Sequence, residues 1–259
     1  MFQSLKIFLT SFPPRIIAWK LYCRVFGKKI LGLKNWQQYF INKSGVEIGG
    51  PSALFNDQGF LPLYTCIQSL DGVNFSASTV WEGSIAEGNF FKYQHKTGYQ
   101  FIAEGTHLPT IKNEQYDFVI SCNNLEHIAN PLLALNEWKR IIKTGGNLLL
   151  ILPNKKANFD HKRPDTTTHH IIQDYESKMD ERDLTHLEEI LELHDLTRDP
   201  QARPFSKFNE RCKNNFDNRC MHHHVFSATV LKDLMEYSKM EVLMQYSSPT
   251  DHYLLARKL

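Results

Sequence analysis

Gly45-Val46-Glu47-Ile48-Gly49-Gly50-Pro51-Ser52 decides the reading of this chain. An apolar strand ends there on a carboxylate and breaks at once into two glycines and a proline. An acid at the carboxyl end of a buried strand, followed by backbone without side chains, is how an open α/β sheet holds a nucleoside. A strand that runs into Gly-Gly-Pro is also an ordinary turn, so the order of the downstream segments matters. Tyr116-Asp117-Phe118-Val119-Ile120-Ser121 forms a second apolar run that leads into Asn123-Asn124-Leu125-Glu126-His127. Residues 131–142 then carry helical spacing, end in basic residues, and stop at Lys143-Thr144-Gly145-Gly146. The continuous apolar run from Asn147 to Pro153 suits a strand covered on both faces.

In this order the motifs resemble class I S-adenosylmethionine-dependent methyltransferases, in particular the small-molecule, type-11-like branch. The resemblance spans about Asn35 to Pro153 and resumes near His222. It also rests on Glu104-Gly105-Thr106-His107-Leu108-Pro109, Leu125-Glu126-His127-Ile128, and Pro153-Asn154 after the glycine pair. It implies a Rossmann-like α/β sheet of order 3-2-1-4-5-7-6 with the last strand antiparallel, and S-adenosylmethionine as cofactor. By the same resemblance, Gly49 and Gly50 pass under the methionine end, and Glu47 holds its amino group directly or through water. Asp71 meets the ribose hydroxyls, with Glu82 as its rival. Glu104 stands near the adenine, where aspartate is commoner, and Asn123 and Asn124 lie at the sulfonium end. Pro51, Ser52 and Ala53 depart from the family's usual further glycines, although proline can begin a helix without cost.

The chain has 259 residues, 42% apolar and 22% charged, enough for one full core. Five cysteines without a Cys-x-x-Cys pair read as reduced thiols in a cytoplasmic protein. A net charge of +2 gives no reason to expect nucleic acid. Residues 1–43 form a basic amphipathic extension that contains no acid. Phe2, Leu5, Ile7, Phe8 and Leu9 alternate with Lys6, and Leu21, Tyr22, Val25 and Phe26 with Lys20, Arg24 and Lys28. Such a segment either packs as helix over the active site or makes peripheral contact with an anionic membrane. Pro13-Pro14 interrupts the only early apolar run, so neither a signal peptide nor a spanning helix is expected there. By the same resemblance, residues 44–259 are expected to form the methyltransferase domain.

Within that domain, residues 154–221 replace a short connection after strand 5 with a substrate-side insertion. Asp183, His186 and Glu189 recur at i, i+3 spacing, either tuning a base or forming a solvated helix face. Arg163, Arg182, Arg198 and Arg203 offer guanidinium forks for a carboxylate or phosphate. His222-His223-His224 follows, and extended alternation would point His222 and His224 the same way. These imidazoles can act as base, ligate a metal with Asp160, His161 or Glu189, or serve structure. The candidate bases are His127, His186, His222 and His224, and no metal is assigned. The expected reaction methylates a hydroxyl or amine of a polar small molecule or sugar-containing intermediate. Alternatives are a non-catalytic protein of this fold that binds a partner or membrane, and a metal-dependent hydrolase built on the histidines.

Overall fold

The computed structural model describes residues 12–259, so the expectations for Phe2, Leu5, Lys6, Ile7, Phe8 and Leu9 lie outside it. Ten strands occur among the described residues: β1 (Ser44–Ile48), β2 (Ser69–Asn74), β3 (Ser78–Thr79), β4 (Gly83–Ser84), β5 (Gly88–Tyr93), β6 (Lys96–Ile102), β7 (Tyr116–Cys122), β8 (Ile142–Pro153), β9 (Met240–Ser247) and β10 (Asp251–Lys258). Eight form one sheet in the order β5-β6-β2-β1-β7-β8-β10-β9. The strands β6, β2, β1, β7 and β8 run parallel, and β10 runs antiparallel to β8. This is the expected order with one addition. The antiparallel edge strand β5 returns along β6 through a tight hairpin at Tyr93–Lys96.

The apolar run of β8 explains why both faces of the sheet are covered. Leu148, Leu150 and Leu152 share a cluster with Leu132, Leu135 and Trp138 of the helix Pro131–Ile141 and with Leu231 and Leu234 of the helix Ala228–Tyr237. The alternate residues Leu149 and Ile151 meet Trp36, Phe40, Phe55 and Tyr64 on the other face. Period-two alternation thus feeds two cores from one strand. The helix Pro131–Ile141 begins with the Asn130 side chain accepting from the Leu133 N–H at 3.0 Å. Ser227 caps the later helix in the same way at 3.3 Å from the Val230 N–H.

Residues 154–221 carry the helices Thr168–Glu176, Leu187–Leu193, Phe205–Lys213 and Asn215–Asn218. Ile190, Phe208, Cys212 and Met221 give this region a small core of its own. The expected row of Asp183, His186 and Glu189 is not formed. Asp183 accepts from the Thr185 N–H and hydroxyl at 2.9 and 3.0 Å, and the helix begins only at Leu187. A short acid that satisfies nearby backbone in a turn competes with helix, which separates the three residues.

The helix Pro14–Phe26 buries Ile16 and Ile17 and exposes Leu21, Tyr22, Val25 and Phe26. Among the described residues no helix is long and apolar enough to cross a membrane.

Candidate active site

A cavity of about 550 Å³ opens at the carboxyl ends of the parallel strands, the position at which open α/β sheets receive ligands. Ile48 ends β1 and Gly49 follows it, Val73 and Asn74 close β2, Glu104 and Gly105 follow β6, and Cys122 ends β7 with Asn123 and Asn124 after it. Gly49 has φ +84, and a Cβ there would lie 2.7 Å from the Asn124 side-chain oxygen. Glycine is therefore required both by backbone conformation and by the close approach of Asn124. A Cβ on Gly50 would strike the Glu47 carboxyl. Asn123, also left-handed at φ 49, lies in the cavity wall. Trp138 donates its indole N–H to the Gly105 carbonyl at 2.8 Å, tying the loop after β6 to the helix beneath.

Glu47 sits under the glycine loop, fully buried and outside the cavity lining. One carboxylate oxygen accepts from the Ser52 N–H and hydroxyl at 3.0 and 2.5 Å, and the other accepts from the Tyr64 hydroxyl at 2.6 Å. Its carboxylate faces Ser52 and Tyr64 behind the loop and not the cavity, so Glu47 is not placed where a direct hold on a cofactor amine was expected. The departure at Ser52 supplies the donor that this brace uses. Burial pushes Glu47 up to about 7, against the lowering effect of Ser52 and Tyr64.

The folded protein holds the Glu47 proton more tightly than the unfolded chain, so this group costs stability as pH rises from about 4.5 through about 7. The cost above about pH 7 is on the order of 3 kcal/mol, taking 1.36 kcal/mol per unit. Glu47→Gln keeps an acceptor for Ser52 and removes the ionisation. Melting temperatures of both proteins from about pH 5 to about pH 8 should show the variant gaining on the wild type as pH rises. A constant difference across that range would refute the linkage.

Asp71 is placed elsewhere. It lies three residues before the end of β2, where one carboxylate oxygen accepts from the Tyr99 N–H at 2.8 Å and the other from the Tyr116 hydroxyl at 2.7 Å. Its rival Glu82 does line the cavity, beside Trp81. Glu104 lines it too, with its carboxylate 2.7 Å from the Arg219 guanidinium. Burial raises Glu104, and Arg219 opposes the rise. Arg219 also pairs with Glu181 at 2.8 Å and lies over the Phe75 ring at 5.0 Å.

The four candidate bases divide into two groups. His127 and His222 line the cavity with ring centroids 4.5 Å apart. The His222 Nδ1 meets the Asp160 carboxylate at 2.5 Å, and Arg163 donates to the other Asp160 oxygen at 3.0 Å. Burial works against a charged ring, but Asp160 outweighs it and raises His222. Burial also works against a charged Asp160, yet His222 and Arg163 hold it far below the usual carboxylate range. Burial and the neighbouring His222 drive His127 well down, and its Nδ1 lies 3.0 Å from the Met221 carbonyl oxygen.

His186 and His224 stand away from the cavity lining. The His224 Nε2 faces Asp174 at 2.9 Å, and the His186 Nε2 faces His170 at 3.1 Å. The shared orientation expected for His222 and His224 is therefore absent. The segment from His222 to Val225 pairs in no sheet, so nothing enforces strict alternation. Burial, with His224 and His170 next, pushes His186 down to about 4.

Five carboxylates line the cavity, Glu82, Glu104, Glu126, Glu181 and Asp251, against the cations Lys20 and Arg219. Glu126 is distinctive among them, being 2% exposed with both carboxylate oxygens unpartnered. Burial pushes it up to about 7, with His222 opposing. The four arginines expected to grip an anion do not reach the cavity. Arg163 is spent on Asp160, Glu189 and backbone carbonyls, Arg182 on Asp180, Arg198 on the Lys156 and Asn158 carbonyls, and Arg203 on the Leu196 carbonyl. Arg219, which no local motif singles out, does line the cavity, but its guanidinium is paired with Glu104 and Glu181.

Residues 68–150 match the family described as "Methyltransferase domain". A curated relative, an uncharacterized protein of Methanocaldococcus jannaschii, is 45% identical over 51 residues, covering 20% of this chain and 22% of that protein. The chain thus aligns with less than a quarter of that relative's length. Similar solved structures include a SAM-dependent methyltransferase from Aquifex aeolicus, 11% identical with a TM-score of 0.42 over 88% of this chain and 90% of that one. Another, from Methanosarcina mazei, is 12% identical with a TM-score of 0.45, covering 89% and 99%.

Proposed function

We propose that this chain is a class I S-adenosylmethionine-dependent methyltransferase that methylates a hydroxyl or amine of a polar small molecule or sugar-containing intermediate, with His222 as the base. The observation that carries this reading is His222 in the cavity wall, paired with the buried Asp160 and sharing that wall with the unpartnered carboxylate of Glu126. An acidic lining favours an amine or hydroxyl over an anionic acceptor.

The residues fit S-adenosylmethionine. The cavity volume lies within the range of about 300–1,000 Å³ usual for small-molecule sites. The side-chain-free Gly49 leaves open the space a Cβ would fill against Asn124. Gly49 and Gly50 would pass the methionine end, Asn74 and Glu82 the ribose, Glu104 and Gly105 the adenine, and Asn123 the sulfonium side. When bound, the cofactor supplies a methyl group already activated on sulfur, which leaves alignment and proton removal to the protein.

His222 is arranged for the second task. In the neutral ring Nδ1–H donates to Asp160, which fixes the tautomer and leaves Nε2 as the proton acceptor. Glu126, free of protein partners, hydrogen-bonds the acceptor's polar group and turns its nucleophilic atom toward the methyl. His127, held neutral, and Trp81, 5.2 Å from it between ring centroids, form the adjoining wall.

Calorimetric titration with S-adenosylmethionine and its demethylated product tests the cofactor half of the proposal. Saturable binding is expected in the wild type and none in Gly49→Arg, whose side chain would occupy the cradle. Transfer of labelled methyl to a panel of amines and hydroxylated sugars then tests the acceptor class. Absence of binding in the folded wild type would sink the enzymatic reading in favour of a binding protein. Transfer confined to carboxylate or thiol acceptors would overturn the acceptor assignment.

A further inference from the structure

Outside the cavity, the residue-154–221 insertion and the segment after it bring together four side chains that the methyl-transfer reading does not use. His170 and Asp174 lie one turn apart on the helix Thr168–Glu176. His186 comes from the residue before the helix Leu187–Leu193, and His224 from the extended segment that also holds His222. One ligating atom from each lies within 4.8 Å of every other. The His170 and His186 Nε2 atoms are 3.1 Å apart, His170 Nε2 and the Asp174 carboxylate 3.4 Å, and His224 Nε2 and the same carboxylate oxygen 2.9 Å.

These separations correspond to the edges of a coordination tetrahedron. Zinc bonds to imidazole nitrogen and carboxylate oxygen are about 2.0–2.1 Å long, which sets ligand-to-ligand edges of roughly 3.3 Å. Two ligands at i, i+4 on one helical face, completed from distant segments, are a recurrent way to build such a site. The set is also chemically suited to a borderline cation: three imidazoles and one carboxylate, with no thiolate. His170 is partly exposed, its side chain 38% accessible, which gives an ion a route in, while Asp174 and His224 are buried.

We propose that His170, Asp174, His186 and His224 bind one structural Zn²⁺ that pins the insertion to the segment bearing His222. Four protein ligands fill a tetrahedral sphere and leave no open position for substrate, so the ion acts on structure and not on the transferred group. Its effect on the reaction is through position. His224 is two residues from His222, and fixing it fixes the backbone from which His222 reaches Asp160. Sequence reading missed the site because its ligands are spread over 55 residues and none pairs in a recognised metal-binding spacing except His170 and Asp174.

The test uses the full chain expressed without a polyhistidine tag. Elemental analysis is expected to find one zinc per chain, and Co²⁺ added to the metal-stripped protein should give the intense visible bands of a tetrahedral ion. His170→Ala and His186→Ala, both at partly exposed positions, should lose the metal and those bands while keeping the wild-type circular dichroism. His222→Asn should keep both. Trace metal in the wild type with only the pale octahedral spectrum of Co²⁺ would overturn the proposal and leave the cluster as a hydrogen-bond network. Metal lost in His222→Asn but retained in His170→Ala would overturn it equally, by moving the ion to the cavity.

Discussion

Replacing His222 by asparagine lowers kcat by about 10²–10⁴-fold while S-adenosylmethionine binds as before. The asymmetry follows from the position of the ring. Its Nδ1 is engaged by Asp160 at 2.5 Å, so the group that asparagine cannot supply is the Nε2 lone pair to which proton removal is assigned. The asparagine amide can still donate to Asp160, which keeps the buried carboxylate partnered and limits the structural damage. Asp160→Asn should lower kcat as well, by about tenfold or more, because an amide no longer selects the Nδ1–H tautomer. Calorimetry separates this from a cofactor effect, since both residues act on the acceptor side. If His222→Asn turns over at the wild-type rate, proton removal lies elsewhere, and an acceptor that is already deprotonated or loses its proton to solvent would be indicated.

The difference between what was legible in the chain and what was not has physical causes. The strands β1, β7 and β8 were readable because a strand buried on both faces must be nearly continuous in apolar residues. The glycine pair after Glu47 was readable for a similar reason, since the required backbone conformation and close approach leave few choices at Gly49. By contrast β2 reads Ser-Leu-Asp-Gly-Val-Asn, with polar residues inside it and no clear start. The acid that looked correctly spaced, Asp71, therefore fell in mid-strand, where it serves Tyr99 and Tyr116. Position at the strand end, rather than distance from Gly49, decides which side chain meets the cavity.

The same limit applies to the polar residues of the insertion. Glu104 and Arg219 are 115 residues apart, and no local pattern couples them. Glu47 was identified by its place at the end of β1, but its partners Ser52 and Tyr64 convert it from a ligand group to a brace. The histidine run shows the reverse case. Its composition marked it as a candidate for base, metal ligand or structural role, whereas the facing of each ring depends on Asp160, Asp183 and Asp174, which come from three different segments. Chemistry can be read from residue type, but the division of labour among adjacent histidines is set by tertiary partners.

Arg163→Met is expected to be among the most destabilising substitutions outside the two sheet-facing cores, costing about 3–5 kcal/mol and lowering the melting temperature by roughly 10 °C. Arg163 is 2% exposed and donates in four directions. Its Nη1 serves Asp160 at 3.0 Å and the His222 carbonyl at 2.8 Å, its Nη2 the His223 carbonyl at 3.2 Å, and its Nε the partly exposed Glu189 at 2.7 Å. Methionine fills much of the volume, so the loss measures the electrostatics more than a cavity. It leaves Asp160 buried with His222 as its remaining charge partner and strips two backbone carbonyls of their donor. Lysine should not rescue it, because a single ammonium cannot reproduce a planar fork that reaches carboxylate and carbonyls together. The catalytic consequence comes through the backbone: the guanidinium holds the carbonyl of the residue that carries the base, so the variant's surviving folded fraction should also turn over more slowly. A melting temperature within about 2 °C of the wild type would show that water or a shifted side chain takes over these contacts, and that Arg163 neither anchors the segment nor positions His222.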